Sequence, residues 1–251
     1  MASLTKEMAP EPSRRFSPPQ ELALLVRMLH REGYDDYHGG HVSYLQDDGT
    51  LLVAPWELMW DEVRASDILR VDSDGRRLEG RGTPNPALAL HYELHKARSD
   101  VVVAVHNHPP YATAWSALRE VPPIYEQFGA FAYDDIVVYD DYEASVAEDG
   151  GAVARRNIEA MGGASAAILA NHGVFVVGDS IERVLLRAVV LERRSEVAWR
   201  VEALGAARGT PLPAGAAKRL TALFEDEWGR WPYFYDAMVR RELRADASVL
   251  D

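Results

Sequence analysis

The stretch that most constrains this chain runs from Val101 to His108 and continues into Pro109, Pro110 and Tyr111. Val101, Val102, Val103, Ala104 and Val105 are apolar and mostly β-branched, which predicts a buried strand. Polar side chains then arrive together at His106, Asn107 and His108, so the chemistry sits at the strand's carboxyl end. Side chains alternate along a strand, which puts His106 and His108 on one face. Two imidazoles on one face at the mouth of a sheet can hold one divalent ion. A second apolar run, Ala166 to Ala170, leads to Asn171, His172 and Gly173, ahead of a further strand, Val174 to Val177. His172 therefore stands at an equivalent place. A lone histidine is more often a hydrogen-bonded core residue than a ligand. A same-face pair plus a third at another strand end favours a metal site. Three neutral imidazoles with open positions make that site catalytic rather than structural.

Composition removes several alternatives. The 251 residues contain no cysteine, which excludes disulfides, thiolate metal sites and a cysteine nucleophile. The length fits one large domain or two small ones, able to bury a core without staples. No apolar run approaches the roughly 20 residues needed to span a bilayer. The amino terminus lacks a basic region followed by an apolar one, so a cytoplasmic location and no membrane partner are expected. A formal net charge of −12 argues against a nucleic-acid surface.

Residues 1–16 are polar and proline-containing and read as a flexible tail. Ser17, Pro18, Pro19, Gln20 and Glu21 start a helix: a serine cap, prolines at the first turn and an acid at the positive dipole end. Tyr37–Tyr44 and Leu51–Ala54, joined through Asp47–Thr50, read as strand, tight turn and strand. Loop and a short helix follow from Trp56 to Ser66, then a second hairpin around Ile68–Asp72 and Asp74-Gly75. Pro84–Arg98 has helical spacing with His91 and His95 near one face, and Pro109–Leu118 opens another helix on its prolines. Pro122–Phe128 is irregular, Ile136–Tyr139 is a strand, and Ala152–Met161 is a helix ended by Gly162-Gly163. Ser180–Leu204 is a long helix. Gly205–Gly215 is a linker to a last helical segment, Lys218–Leu243, broken near Trp231-Pro232. Hairpins mixed with helices favour a mixed or mainly antiparallel sheet flanked by helices. The expected organisation is a domain over 17–205, with a helical extension, 206–251, packing on it.

Gly40-His41-Val42-Ser43, the strand from Arg98 into His106-Asn107-His108-Pro109, Tyr139–Glu143 and Asn171-His172-Gly173 resemble, in order and spacing, the class II aldolase/adducin superfamily. The resemblance covers roughly Glu21 to Gly205. It implies a three-layer α/β/α fold with a mainly antiparallel sheet, and an oligomer, commonly a tetramer, with metal sites near subunit interfaces. It also implies that His106, His108 and His172 hold one divalent metal (zinc, manganese or iron) per subunit.

The departures carry the functional expectation. The sugar-phosphate aldolases place an acid in a Ser-Ser-Glu motif ahead of the helix that leads to the metal strand. The matching stretch here is Asn85-Pro86-Ala87. Their phosphate turn, rich in hydroxyls and glycine, is matched by Ala54-Pro55-Trp56-Glu57, and His41 replaces an asparagine. A phosphate dianion loses its cradle of donors in this way. The substrate expected is thus a small oxygenated carboxylic acid, held by Gly40, His41, Ser43 and Trp56. His41 and Ser43 are either carboxylate-binding groups or a polar turn cap. His91, His95, Tyr125 and Tyr142 are the candidates for proton transfer, with Glu143 beside them; the plain alternative for each is packing or a solvated edge. The expected reaction is a metal-dependent carbon–carbon lyase step, decarboxylation before sugar-phosphate cleavage. Two further readings stay open: a non-heme iron oxygenase, as in aminocoumarin biosynthesis, and a non-catalytic adducin-like module.

Overall fold

The computed structural model describes residues 16–132, 136–139, 150–205, 209–223 and 231–251. Tyr142 and Glu143 lie outside the described residues.

A mixed sheet of eight strands forms the middle layer: β1 His41–Leu45, β2 Leu51–Val53, β3 Leu69–Val71, β4 Arg77–Glu79, β5 Val103–Asn107, β6 Ile136–Tyr139, β7 Ala166–Leu169 and β8 Gly173–Gly178. Their order is β4-β3-β2-β1-β5-β8-β7-β6. Every pairing is antiparallel except β6 with β7. The β-branched run is therefore an inner strand between β1 and β8, and all of β5 is buried. Such a strand reads as a continuous apolar run because both faces are covered.

Alternation assigns the two faces. Val103 and Val105 of β5, with Val42, Val174 and Val176, join one cluster. That cluster takes in α1 (Pro18–Arg31), α5 (Ile181–Ala203) and α7 (Trp231–Ala245). Ala104, with Phe175, Val177, Ala167 and Leu169, packs on the opposite side. There it meets Leu94 of α2 (Ala89–Ala97), and Ile158 and Met161 of α4 (Gly150–Met161). The fold is a three-layer α/β/α arrangement. By the same parity His106 on β5, and His41 and Ser43 on β1, project toward α2.

Three local structures position the site. Ser17 starts α1 with its backbone N–H donating to Gln20 Oε1 at 3.1 Å. The stretch Pro84–Arg98 divides into a 3-10 turn, Pro86–Leu88, and α2. Asn85 closes that turn, its Oδ1 accepting the Ala87 N–H at 2.9 Å. At the other end of β5, α3 (Pro110–Leu118) begins against α5. The Glu192 carboxylate of α5 accepts the N–H groups of Tyr111 at 2.9 Å and Ala112 at 2.8 Å. A carboxylate there satisfies free helix-end donors and faces the positive end of the dipole. Burial still dominates, and pushes Glu192 up to about 7.

The second apolar run departs from its expected course. Strand β7 stops at Leu169, and Ala170, Asn171 and His172 make a tight turn into β8. Asn171 takes a φ of 58°, and His172 N–H closes the turn on Leu169 C=O at 2.9 Å. Asparagine tolerates this left-handed conformation better than most residues. His172 is therefore presented by a turn rather than by the strand itself.

Candidate metal centre

His106 is the penultimate residue of buried β5, His108 follows the last strand residue, and His172 sits in the β7–β8 turn. One ring nitrogen from each lies within 4.8 Å of the others. The ring centroids are 4.7 Å apart for His106–His108, 4.8 Å for His106–His172 and 5.0 Å for His108–His172. His106 is buried and the other two are half-buried, so the cluster opens on one side.

The donor set fits a divalent ion. His108 Nδ1 lies 2.5 Å from Asp36 Oδ2. A carboxylate only accepts, so Nδ1 carries a proton, and Nε2 is the nitrogen left to face the triad. That Nε2 is 3.1 Å from His106 Nε2. Nitrogens each about 2.1 Å from one zinc-like ion sit at such a separation. Two ring nitrogens turned on each other at that distance would fit a cation held between them. Burial and the neighbouring His41, His172 and His108 hold His106 well below the usual histidine range, which keeps it neutral and able to ligate. Its Nδ1 is buried without a full hydrogen bond, and the Val174 backbone opposes the shift only weakly.

Asp36 is the organiser of this corner. Its Oδ2 accepts the His108 backbone N–H at 3.2 Å as well as Nδ1–H. Its Oδ1 accepts from Gly40 N at 2.9 Å and from Asn107 Nδ2 at 3.3 Å. The two glycines make this possible. A Cβ on Gly39 would stand 2.9 Å from Asp36 Oδ2 and 3.0 Å from His108 Nδ1. One on Gly40 would overlap Asn107 Nδ2 and crowd Trp60. Gly40 is thus a close-packed backbone donor to Asp36. The sequence does not single out Asp36 or buried Trp60; the Gly39-Gly40 pair is the one signal of a close approach nearby.

Behind His106 lies a second histidine cluster. His41 is paired with His106 across β1 and β5, and their ring centroids lie 4.6 Å apart with the planes tilted by 30°. His41 Nδ1 meets His91 Nε2 at 2.7 Å. His91 Nδ1 meets Ser43 Oγ at 2.6 Å, and Ser43 Oγ meets His95 Nε2 at 2.8 Å. His95 Nδ1 ends on the Val101 carbonyl at 3.2 Å. His91 and Ser43 are wholly buried. Desolvation pushes His41 and His91 well below the usual histidine range and His95 down to about 4. All three are neutral at pH 7.

The remaining candidates stand elsewhere. Tyr125 donates to Glu202 Oε1 of α5 at 2.6 Å. Trp56 lies past the end of β2, 45% exposed, with its backbone N–H on Thr83 C=O. Ala87 is exposed, and no carboxylate replaces it at that turn.

Residues 20–199 match the family described as the class II aldolase and adducin N-terminal domain. The chain belongs to this family. It is 30% identical over 203 residues to a 4-hydroxy-3-prenylphenylpyruvate oxygenase/4-hydroxy-3-prenylbenzoate synthase of Streptomyces roseochromogenus subsp. oscitans, covering 78% of this chain and 71% of that one. It is 30% identical over 205 residues to decarboxylase NovR of Streptomyces niveus, covering 78% and 73%. It is 28% identical over 215 residues to a 5-methylthioribulose-1-phosphate/5-deoxyribulose-1-phosphate aldolase of Rhodospirillum rubrum, covering 85% and 94%. Among solved structures, an aldolase II superfamily protein from Pseudomonas syringae superposes with a TM-score of 0.84 at 24% identity, covering 94% of this chain and 98% of that one. Members of this family are generally divalent-metal dependent, and His106, His108 and His172 form a triad able to bind one ion. No helix among the described residues is long and apolar enough to cross a membrane.

Proposed function

We propose that this chain is a metal-dependent carbon–carbon lyase that removes carbon dioxide from a small oxygenated carboxylic acid. The observation that carries the reading is a histidine triad fit for a metal beside a helix start that lacks an acid. Zinc, manganese or iron held by His106, His108 and His172 supplies Lewis-acid stabilisation of negative charge on a substrate oxygen. Retro-aldol cleavage begins by removing a hydroxyl proton, and Asn85, which caps its own turn, and exposed Ala87 offer no carboxylate for that step. Decarboxylation begins without a base. Ala54, Pro55 and Trp56 likewise offer little to a phosphate dianion. A relative named as a decarboxylase supports the loss of carbon dioxide, and one named as a 4-hydroxy-3-prenylphenylpyruvate oxygenase/4-hydroxy-3-prenylbenzoate synthase supports an aromatic acid. A subunit of this family is expected to act within a homotetramer in the cytoplasm, and light scattering that returned a monomer mass at micromolar concentration would reject the tetramer.

The oxygenase name of one relative gives a second reading, in which the triad holds iron. The test is a panel of hydroxy-aromatic acids, 2-oxo acids and sugar phosphates, run with zinc, manganese or iron, with and without oxygen. Carbon dioxide release without oxygen uptake is the expected result. Oxygen consumed in step with product selects the iron reading. Efficient cleavage of a phosphorylated sugar overturns the lyase proposal in its decarboxylase form.

A further inference from the structure

The buried chain behind the triad has a direction, and one carbonyl sets it. A backbone carbonyl only accepts, so His95 donates Nδ1–H to Val101 C=O. In a neutral imidazole the other nitrogen is then an acceptor, and Ser43 must donate its O–H to His95 Nε2. Ser43 Oγ, its proton used, accepts from His91 Nδ1–H. His91 Nε2 is then the acceptor for His41 Nδ1–H. Every proton in the chain is placed, and one nitrogen remains: His41 Nε2, which carries a lone pair. Among the described residues no hydrogen bond reaches it, and His41 keeps 7% of its surface exposed while its ring lies against His106.

We infer that the Val101 carbonyl, acting through His95, Ser43 and His91, locks His41 as the Nδ1–H tautomer, so that its Nε2 accepts a hydrogen bond from a substrate hydroxyl beside the metal triad. His41 in this form cannot bind a carboxylate, which would set acceptor against acceptor. Ser43 has both roles of its hydroxyl occupied and no exposed surface, so it positions His41 and does not touch substrate. The inference names the substrate class of the proposed lyase site more narrowly: an acid bearing a free hydroxyl near the oxygen that the metal holds.

The test is nitrogen-15 NMR of the histidine rings in the full-length protein loaded with cadmium as a diamagnetic stand-in. His41 should show a protonated Nδ1 and an unprotonated Nε2 with no coupling to cadmium, whereas His106, His108 and His172 should each couple. An Nε2–H or doubly protonated His41 at neutral pH, or coupling of His41 to cadmium, overturns the inference. Ser43→Ala and His95→Leu interrupt the chain at different links, and each should turn the single tautomer of His41 into a mixture. A single unchanged tautomer in both folded variants also overturns it. Glycolate and methoxyacetate, in which a methyl group replaces the hydroxyl hydrogen, then serve as titrants. The wild type should prefer glycolate by about tenfold, the worth of one hydrogen bond, and His41→Ala should lose the preference. Equal binding by the wild type sinks the hydroxyl assignment. None of these readouts uses turnover, so a failed lyase assay leaves them standing and their failure leaves the lyase proposal to its own test.

Discussion

Asp36 Oδ2 lies 2.5 Å from Nδ1 of His108, across 72 residues of sequence. The contact fixes which nitrogen of His108 faces the triad. Carboxylates behind ligating histidines tune a metal site in this way, and their removal typically weakens metal binding about 10–100-fold. Asp36→Asn should therefore lower zinc affinity by about that factor, read by competition with a chelating dye. The triad need not collapse, because the amide oxygen still accepts from Gly40 or from His108 Nδ1–H. Wild-type affinity in a folded Asp36→Asn protein would show that the contact is incidental.

His108 and His41 should fail differently. His108→Ala removes a ligand, so metal content and turnover should be lost together. His41→Ala should leave metal content near that of the wild type and raise KM more than it lowers kcat, as expected when a substrate contact made before the chemistry is lost. Metal analysis beside steady-state kinetics separates the two. Loss of metal from His41→Ala would make His41 a ligand.

How far these residues were legible differs from one to the next. His106 and His108 follow from a β-branched run and the period of two, which are local properties. His172 follows from a strand end, but the turn that presents it depends on the left-handed φ of Asn171 and is not written in hydrophobicity. The spacing of His91 and His95 shows that they share a helix face, not that the face lies over His41 and Ser43. That contact comes from the β1–β5 register and the packing of α2, which are tertiary. Asp36 sits in a polar loop, where carboxylates are common, and nothing local marks it. Tyr125 illustrates the reverse case: its hydroxyl is bound to Glu202, on a helix that no short-range pattern places next to it.

Gly173 is held to glycine by the metal corner. A Cβ there would stand 2.5 Å from His108 Cδ2 and 2.6 Å from the Asn107 carbonyl oxygen. The oxygen belongs to the backbone of an inner strand and cannot move aside cheaply, so His108 must shift. Gly173→Ala should cost about 1–3 kcal/mol as overpacking and lower zinc affinity as well. Paired thermal melts and dye competition check both effects. An unchanged zinc affinity would mean that the turn, not His108, absorbs the added methyl.

Glu192 should make stability fall with rising pH. Burial raises its carboxyl from 4.5 to about 7, against the opposing hydrogen bonds from Tyr111 and Ala112. A raised acid binds its proton more tightly in the folded state. Its contribution is therefore fully present below pH 4.5 and is lost as pH rises through about 7. The full shift corresponds to roughly 3 kcal/mol. Glu192→Gln removes the titration but also turns an amide N–H toward the α3 donors, so the variant should be less stable than the wild type at pH 5. The gap should narrow by pH 8, where the wild type carries a buried charge. Thermal melts at pH 5, 6, 7 and 8 give the comparison. A gap that stays constant across that range would show that Glu192 does not titrate there, and that the two backbone donors outweigh its desolvation.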